Sequence, residues 1–367
     1  VEIILSQIKG RIIHDFPYNL KNRKCPHTSL ISLTNSGACV FACPMCYARA
    51  YAWSEPEKIR IYKNLPEKLE VEIKRLRIAF PFYLSQITDP LQPVHEIRNF
   101  TYRVIKILIS YHLSFRVVTK CAEGVREMIQ NIPELISYPE WFLEMTIEST
   151  PEKQVVTSPF ASKIVDRISV LKFLNDIGVE AVCRTDPTIL GLIEPYDLLW
   201  LLERIKDSGV QHIIASTGYY NKSSMENLIN RMKMTKFKDR IPKVIEYYNY
   251  DPSSTRKRFS APIELRKKFH KWFREKVEEF GLKYAVCQEL PKDYDSKDLI
   301  SCEGSRRNPV HIRDEKGNFV PIGCAGDCLR YCPDMENPPC GAPVLRTEYP
   351  YREKTIQIHT SLFPNFM

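Results

Sequence analysis

Six short runs of β-branched and aromatic residues, each followed by a longer stretch of helical character, limit what this chain can fold into more than any other feature. The runs are SLISLT (29–34), FPFYLSQ (80–86), SFRVVTK (114–120), WFLEMTIES (141–149), VEAVCRTD (179–186) and VQHIIAST (210–217). Most are apolar nearly throughout, as strands buried on both faces of a parallel sheet are. Between them, Ile164, Val165, Ile168, Leu171 and Leu174 repeat on one face of 160–177, and Gly178 supplies a stop. The stretches 99–112 and 194–208 read similarly. Six βα units in succession predict an α/β fold, a parallel sheet with helices outside it. At 367 residues, 44% apolar and 26% charged, the chain has room for one large α/β barrel and an appendage.

Between the first and second runs lies Cys39-x-x-x-Cys43-x-x-Cys46, followed at once by Tyr47. Three thiolates can hold three irons of a [4Fe–4S] cube, whose usual complement is four cysteines. The fourth iron is then open to a substrate or cofactor. A structural zinc site wants a closed set of four ligands, usually as two Cys-x-x-Cys pairs. No second pair stands at finger-like distance downstream, although Cys25 can close such a site from upstream. Chance clustering among 12 cysteines is the third reading.

The triplet with its aromatic neighbour resembles the signature of the radical S-adenosylmethionine (SAM) enzymes. The resemblance implies an open (β/α)6 partial TIM-type barrel. It also implies a [4Fe–4S] cluster whose open iron chelates SAM, reductive cleavage of SAM to a 5′-deoxyadenosyl radical, and an electron donor such as ferredoxin or flavodoxin. Polar residues fall where such a barrel gathers its chemistry, at the C-terminal ends of the strands. They are Ser85, Gln86, Thr88 and Asp89; Thr119 and Lys120; Glu144, Thr146 and Glu148; Arg184 and Asp186; Ser216 and Thr217. The SAM carboxylate wants a cation, and Lys120 and Arg184 are the two available. Its amino group wants acceptors, for which Gln86, Thr88 and Asp89 are placed. Glu144 and Thr146 suit the ribose, and Gly191-x-x-Glu194 resembles the family's adenine-contacting turn.

The order of motifs narrows the resemblance to the spore photoproduct lyase-like branch, over about residues 28–220. They are the triplet with Tyr47, TDPLQP (88–93), VVTK (117–120), a polar fourth strand and RTDPTILG (184–191). Two positions depart from it. Gln86 stands where the lyase carries a hydrogen-donating cysteine three residues ahead of the aspartate, and Met45 replaces a tyrosine before Cys46. The departures imply a relative acting on another substrate. Cys121 is either a substitute donor or a buried structural thiol.

Composition divides the chain into an N-terminal segment (1–27), the barrel (28–235), a basic and aromatic helical connector (236–290) and a cysteine-rich extension (291–367). The extension carries Cys302, Cys324, Cys328, Cys332 and Cys340, which predict a second [4Fe–4S] cluster, with zinc as the alternative. Five exceed one site's need, so at least one is expected to be no ligand unless Cys287 or Cys25 joins a second site. In the connector, Lys and Arg interleave with aromatics, a recipe for binding single-stranded or flipped nucleic acid. Periodicity through Leu265, Phe269, Trp272, Phe273 and Val277 instead predicts a helix that buries its aromatics, leaving Arg256, Lys257 and Arg258 as phosphate candidates. Net charge of +9 leans weakly toward an anionic partner. No run approaches the roughly 18 apolar residues of a membrane span. The opening residues lack a signal-peptide layout, and many cysteines without one predict a cytoplasmic metalloprotein.

The expected function is SAM radical chemistry for nucleic-acid repair or modification. One alternative is a radical SAM enzyme acting on a peptide, cofactor precursor or small metabolite held by the auxiliary cluster. Another is a non-catalytic Fe–S or zinc protein that binds nucleic acid, against which the candidate SAM pocket speaks.

Overall fold

The computed structural model describes residues 2–341 apart from 16–18, 21, 22, 25, 35, 36, 52, 300, 304–307 and 329–331, so Cys25 lies outside the described residues. At its centre is an eight-stranded sheet whose strands lie side by side in chain order. They are β1 (Ile13–Asp15), β2 (Ser29–Ile31), β3 (Phe82–Leu84), β4 (Phe115–Thr119), β5 (Trp141–Thr146), β6 (Ala181–Thr185), β7 (His212–Ala215) and β8 (Lys283–Val286). From β2 to β8 every neighbour is parallel, and β1 runs antiparallel on the outer edge of β2. The edges β1 and β8 do not pair, so the sheet is an open partial barrel.

Five helices connect successive parallel strands: α1 (Leu65–Lys74), α2 (His95–Ser110), α3 (Ala122–Asn131), α4 (Ile164–Asp176) and α5 (Pro195–Asp207). The link from β7 to β8 is longer and carries α6 (Lys222–Lys233), α7 (Ile241–Tyr248) and α8 (Ile263–Glu279). All six expected strands are present. The seventh parallel strand, β8, comes from the segment read as a connector, where four residues after a charged helix give too short a signal to stand out. As expected, α8 buries Phe269, Phe273 and Val277, with Phe273 set edge-on to Tyr284 of β8 at 5.3 Å between ring centroids.

Side chains alternate across the strands, which is what makes one sheet serve both packing and chemistry. On β5, Trp141, Leu143 and Met145 join the main core under the helices, whereas Phe142 joins Val182 and Ile214 in a separate cluster on the inner face. Glu144 shares that inner parity and is fully buried.

The C-terminal extension closes the opposite end of the sheet from the strand-end loops. Its strands His311–Arg313 and Phe319–Pro321 form a small antiparallel sheet with Ile78–Ala79. Its contacts fall on residues at the starts of the main strands. Ser114 Oγ donates to the Pro309 carbonyl at 2.5 Å, His311 Nε2 meets Glu140 at 2.8 Å and His212 Nε2 meets the Cys302 carbonyl at 3.2 Å. The His27 amide donates to the Gly326 carbonyl at 2.9 Å. Gly326 has φ +81°, and a Cβ there would lie 2.6 Å from the His27 carbonyl oxygen, so only glycine permits this approach.

Candidate active site

The loop leaving β2 carries the cysteine triplet to the C-terminal mouth of the barrel. Two turns shape it: the Ala42 amide donates to the Cys39 carbonyl and the Cys46 amide to the Cys43 carbonyl, each at 3.0 Å. The Val40 amide donates to Gln92 Oε1 at 2.9 Å, which pins the loop to the one leaving β3. All three thiols are free and half-buried. Burial drives the Cys39 thiol far above its ordinary pKa; the Asp89 carboxylate and Cys43 add to this, and the Asp89 amide opposes it. Burial pushes Cys43 up to about 12, with Lys120 opposing and Glu148 and Cys46 adding. A thiol ligates only as the thiolate, so binding a cluster here would release these protons. Among the described residues no three His, Cys, Asp or Glu side chains gather about one point. A cube does not require that, because each cysteine takes a different iron. The donor set therefore fits the cluster.

Around this loop stand the polar ends of β3, β4 and β5. Tyr47 donates its hydroxyl to the Gln86 carbonyl at 3.1 Å, and the Gln86 side chain pairs with Ser32 at 3.2 Å. Thr88 pairs with Thr34 at 3.1 Å. Asp89 is a stitch between strands: its carboxylate accepts from the Leu91 amide at 2.9 Å, Thr119 Oγ1 at 2.7 Å and the Lys120 amide at 2.6 Å. Lys120 is half-buried and feels Cys43, Asp89 and Glu148 electrostatically. Among the described residues no carboxylate lies within ion-pair distance of its ammonium. Glu148 is held low, to about 2. Burial opposes its ionisation, but fully buried Arg167 at 3.0 Å, Lys120 and Ser158 outweigh that.

Deeper in the barrel is a second charged layer. Arg184 is paired to Glu144 and to Asp186 at 2.8 Å, and its guanidinium donates to Cys287 at 3.3 Å. Arg116 lies 3.3 Å from Glu144 and 3.4 Å from Glu303, and stacks over the Tyr83 ring at 4.4 Å. Burial pushes the Glu144 carboxyl up, with Arg184 opposing. Burial works the same way on Glu303, but Arg116 and Arg184 outweigh it and hold that group low. Glu303 enters from the C-terminal extension, so the extension helps to form the barrel floor. Thr146 is buried on β5, and its carbonyl accepts from Arg167 at 3.1 Å.

The structure brings Cys39, Cys43, Cys46, Tyr47, Gln86, Thr88, Asp89 and Lys120 together, with Glu144 and Arg184 one layer below. Gly191 is occupied otherwise. At φ +88° its Cα packs on α7, where a Cβ would meet Lys243 backbone at 3.0 Å, and Glu194 forks onto Arg240 at 2.6 Å while capping α5. Cys121 is fully buried in the main core, with Arg98 donating to it at 3.2 Å, so it is a structural thiol. Arg116, Arg167, Tyr83 and Glu303 were missed in the sequence. Arg116 was legible, since it shares the inward parity of Lys120 on the same strand run. The other three come from a helix, a three-residue strand and a distant segment, and carry no local signal.

The C-terminal cysteines divide. Cys324 and Cys328 are buried, and Cys332 and Cys340 half-buried. Burial pushes the Cys324 thiol up to about 11; the Gly326 amide opposes this, and Cys340 and Cys332 add to it. Cys302 packs elsewhere, with Ala285 and Leu299.

No family model matches the chain. The Radical SAM Nalpha-GlyT isomerase of Pseudomonas phage M6 is 20% identical over 365 residues, covering 90% of this chain and 72% of the isomerase. Solved structures of spore photoproduct lyase align over 77% of this chain and 81% of theirs. A cysteine-to-serine mutant gives a TM-score of 0.56 at 14% identity, and a complex with dinucleoside spore photoproduct gives 0.56 at 15%. A double mutant holding AdoMet and dinucleoside spore photoproduct also gives 0.56, at 14%. Motif, fold and relatives agree in their likeness to the radical SAM enzymes. Within that class its fold is that of the spore photoproduct lyase-like branch.

Proposed function

We propose that this enzyme uses SAM-derived radical chemistry to repair or modify a nucleic acid. The observation that carries the reading is the cysteine loop held at the C-terminal mouth of a fold whose solved relatives hold AdoMet and a dinucleoside lesion. When bound, a [4Fe–4S] cluster on Cys39, Cys43 and Cys46 with SAM supplies a 5′-deoxyadenosyl radical. The chain's own residues hold and orient it. Lys120, with no carboxylate partner among the described residues, takes the SAM carboxylate. The Gln86–Thr88–Asp89 turn faces its amino group, and Asp89 fixes Lys120 by accepting its amide. Arg184, already saturated by Glu144 and Asp186, supports the floor of the pocket with Thr146 above it, and Gly191 lets the following loop pack closely on α7. Cys324, Cys328, Cys332 and Cys340 are the candidates for a second cluster or zinc. They lie at the N-terminal ends of the strands, away from the mouth, which disfavours a substrate held by an auxiliary cluster. An external one-electron donor of the ferredoxin or flavodoxin kind is required. Among the described residues no helix is long and apolar enough to cross a membrane.

The test is anaerobic reconstitution with iron, sulfide, a strong reductant and SAM. The expected product is 5′-deoxyadenosine, lost when Cys39, Cys43 and Cys46 are all changed to Ala. Undiminished 5′-deoxyadenosine from that variant overturns the reading.

A further inference from the structure

We infer that the aromatic side chains leading out of the cysteine loop and the basic loop before Phe259 form one continuous docking track for a single strand of nucleic acid. This rests on the nucleic-acid reading above and names the surface that delivers the strand. Trp53 is 50% exposed, and its ring stacks on Tyr51 at 5.1 Å with 20° between planes. Tyr51 meets Tyr47 edge-on at 5.8 Å, and Tyr47 lies 6.1 Å from Tyr219. The Arg258 guanidinium covers Tyr219 at 5.0 Å. Tyr219 and Phe259 belong to a short antiparallel pair, Tyr219–Tyr220 with Phe259–Ser260, which follows the C-terminal end of β7 and so overhangs the barrel mouth.

Two chemistries meet along this line, and together they select the partner. Exposed and half-exposed rings offer π-faces on which unpaired bases stack without regard to sequence. At the far end Arg256, Lys257 and Arg258 are exposed, and among the described residues none has a carboxylate partner. At the near end the acidic neighbours of Trp53 are already neutralised. Glu55 is paired with Arg60 at 2.9 Å and Lys58 at 3.4 Å, and Glu57 with Arg49 at 3.7 Å. A stacked duplex hides its base faces, so the rings have use only for a single strand or an extruded base. Tyr47 ties the track to the cluster loop through its own sequence position, directly after Cys46.

The experiment is anisotropy of a labelled short oligothymidylate with the reconstituted full chain, between ~50 and 200 mM salt. Changing Arg256, Lys257 and Arg258 together to Ala should flatten the slope of log K against log salt by about 2, at about 0.7 per phosphate lost. Trp53→Ala should weaken single-strand binding about 5- to 150-fold at fixed salt and leave the slope alone, the range set by loss of one stacked base. Trp53→Phe should recover most of that affinity, which separates stacking from misfolding. Equal affinity for the same sequence as a duplex, displacement by polyglutamate at matched charge, or unaltered binding by Trp53→Ala overturns the track. If product still forms on the oligonucleotide while the variants bind as wild type, the proposed function stands and the track falls. If wild type binds no strand, both fall.

Discussion

Lys120 and Arg184 are both cations at strand ends, and their surroundings give them different work. Arg184 is almost fully buried and already paired with three carboxylates, Glu144, Asp186 and Glu303. Removing it would strand buried charge, so its loss damages the floor whatever SAM does. Lys120 is half-buried beside the cysteine loop with no such partner among the described residues, and its backbone rather than its ammonium is what Asp89 holds. A group positioned by its main chain with its charge unspent is built for a ligand. Lys120→Ala should therefore weaken SAM binding by about 10- to 150-fold, the range for loss of a hydrogen bond to a charged group. Iron content should stay at the wild-type level and Lys120→Arg should restore part of the affinity. Equilibrium dialysis with labelled SAM reads the first, and iron analysis the second. Wild-type SAM affinity in Lys120→Ala would transfer the carboxylate to another group.

Among the elements, strand parity explains both what the sequence revealed and what it hid. Each expected strand is real because continuous apolar character marks burial on two faces, and polar residues at its end mark the mouth. Even residues on β5 point inward, so Glu144 could be read as an interior carboxylate from its neighbours Phe142 and Leu143 alone. Its partners could not: Arg116 sits on β4, Arg184 on β6 and Glu303 far along the chain, and only the pairing of neighbouring strands and the docking of the extension bring them together. Gly191 is ambiguous for the opposite reason. A glycine in a loop reads equally as ligand approach or as backbone approach, and here the helix α7 is what comes close. The connector shows how periodicity separates core from partner surface. Helix α8 is rich in Lys and aromatics, yet its rings face β8 while Lys268 and Lys271 face solvent. Phe273→Ala should cost about 3–5 kcal/mol of stability, whereas Lys271→Ala should stay within about 0.5 kcal/mol. Denaturant midpoints of the two variants make the comparison. Near-equal midpoints would mean that α8 is not part of the core.

Across the whole molecule the two ends of the barrel are chemically distinct, and that separation makes the cysteine-rich extension testable apart from the SAM site. The triplet loop leaves the C-terminal end of β2. The extension is anchored by Gly326 against His27, two residues before the same strand begins. A strand the length of β5 spans roughly 20 Å at about 3.3 Å per residue, so the two sets of thiols cannot share a ligand. Each should fill and empty independently. If the four clustered cysteines hold a second cube, wild type purified without oxygen should carry about eight irons, and the Cys39, Cys43 and Cys46 triple variant about four. Changing Cys324, Cys328 and Cys332 to Ala should likewise remove about four irons. It should leave intact the SAM-induced change in the electron paramagnetic resonance of the remaining cluster, because nothing at the mouth has been touched. Four irons in wild type together with one tightly bound zinc, lost on changing the tail cysteines, would make the extension a structural zinc site. Loss of the SAM-induced change in the tail variant would instead mean that the barrel floor, through Glu303 and Arg184, transmits the state of the extension to the mouth.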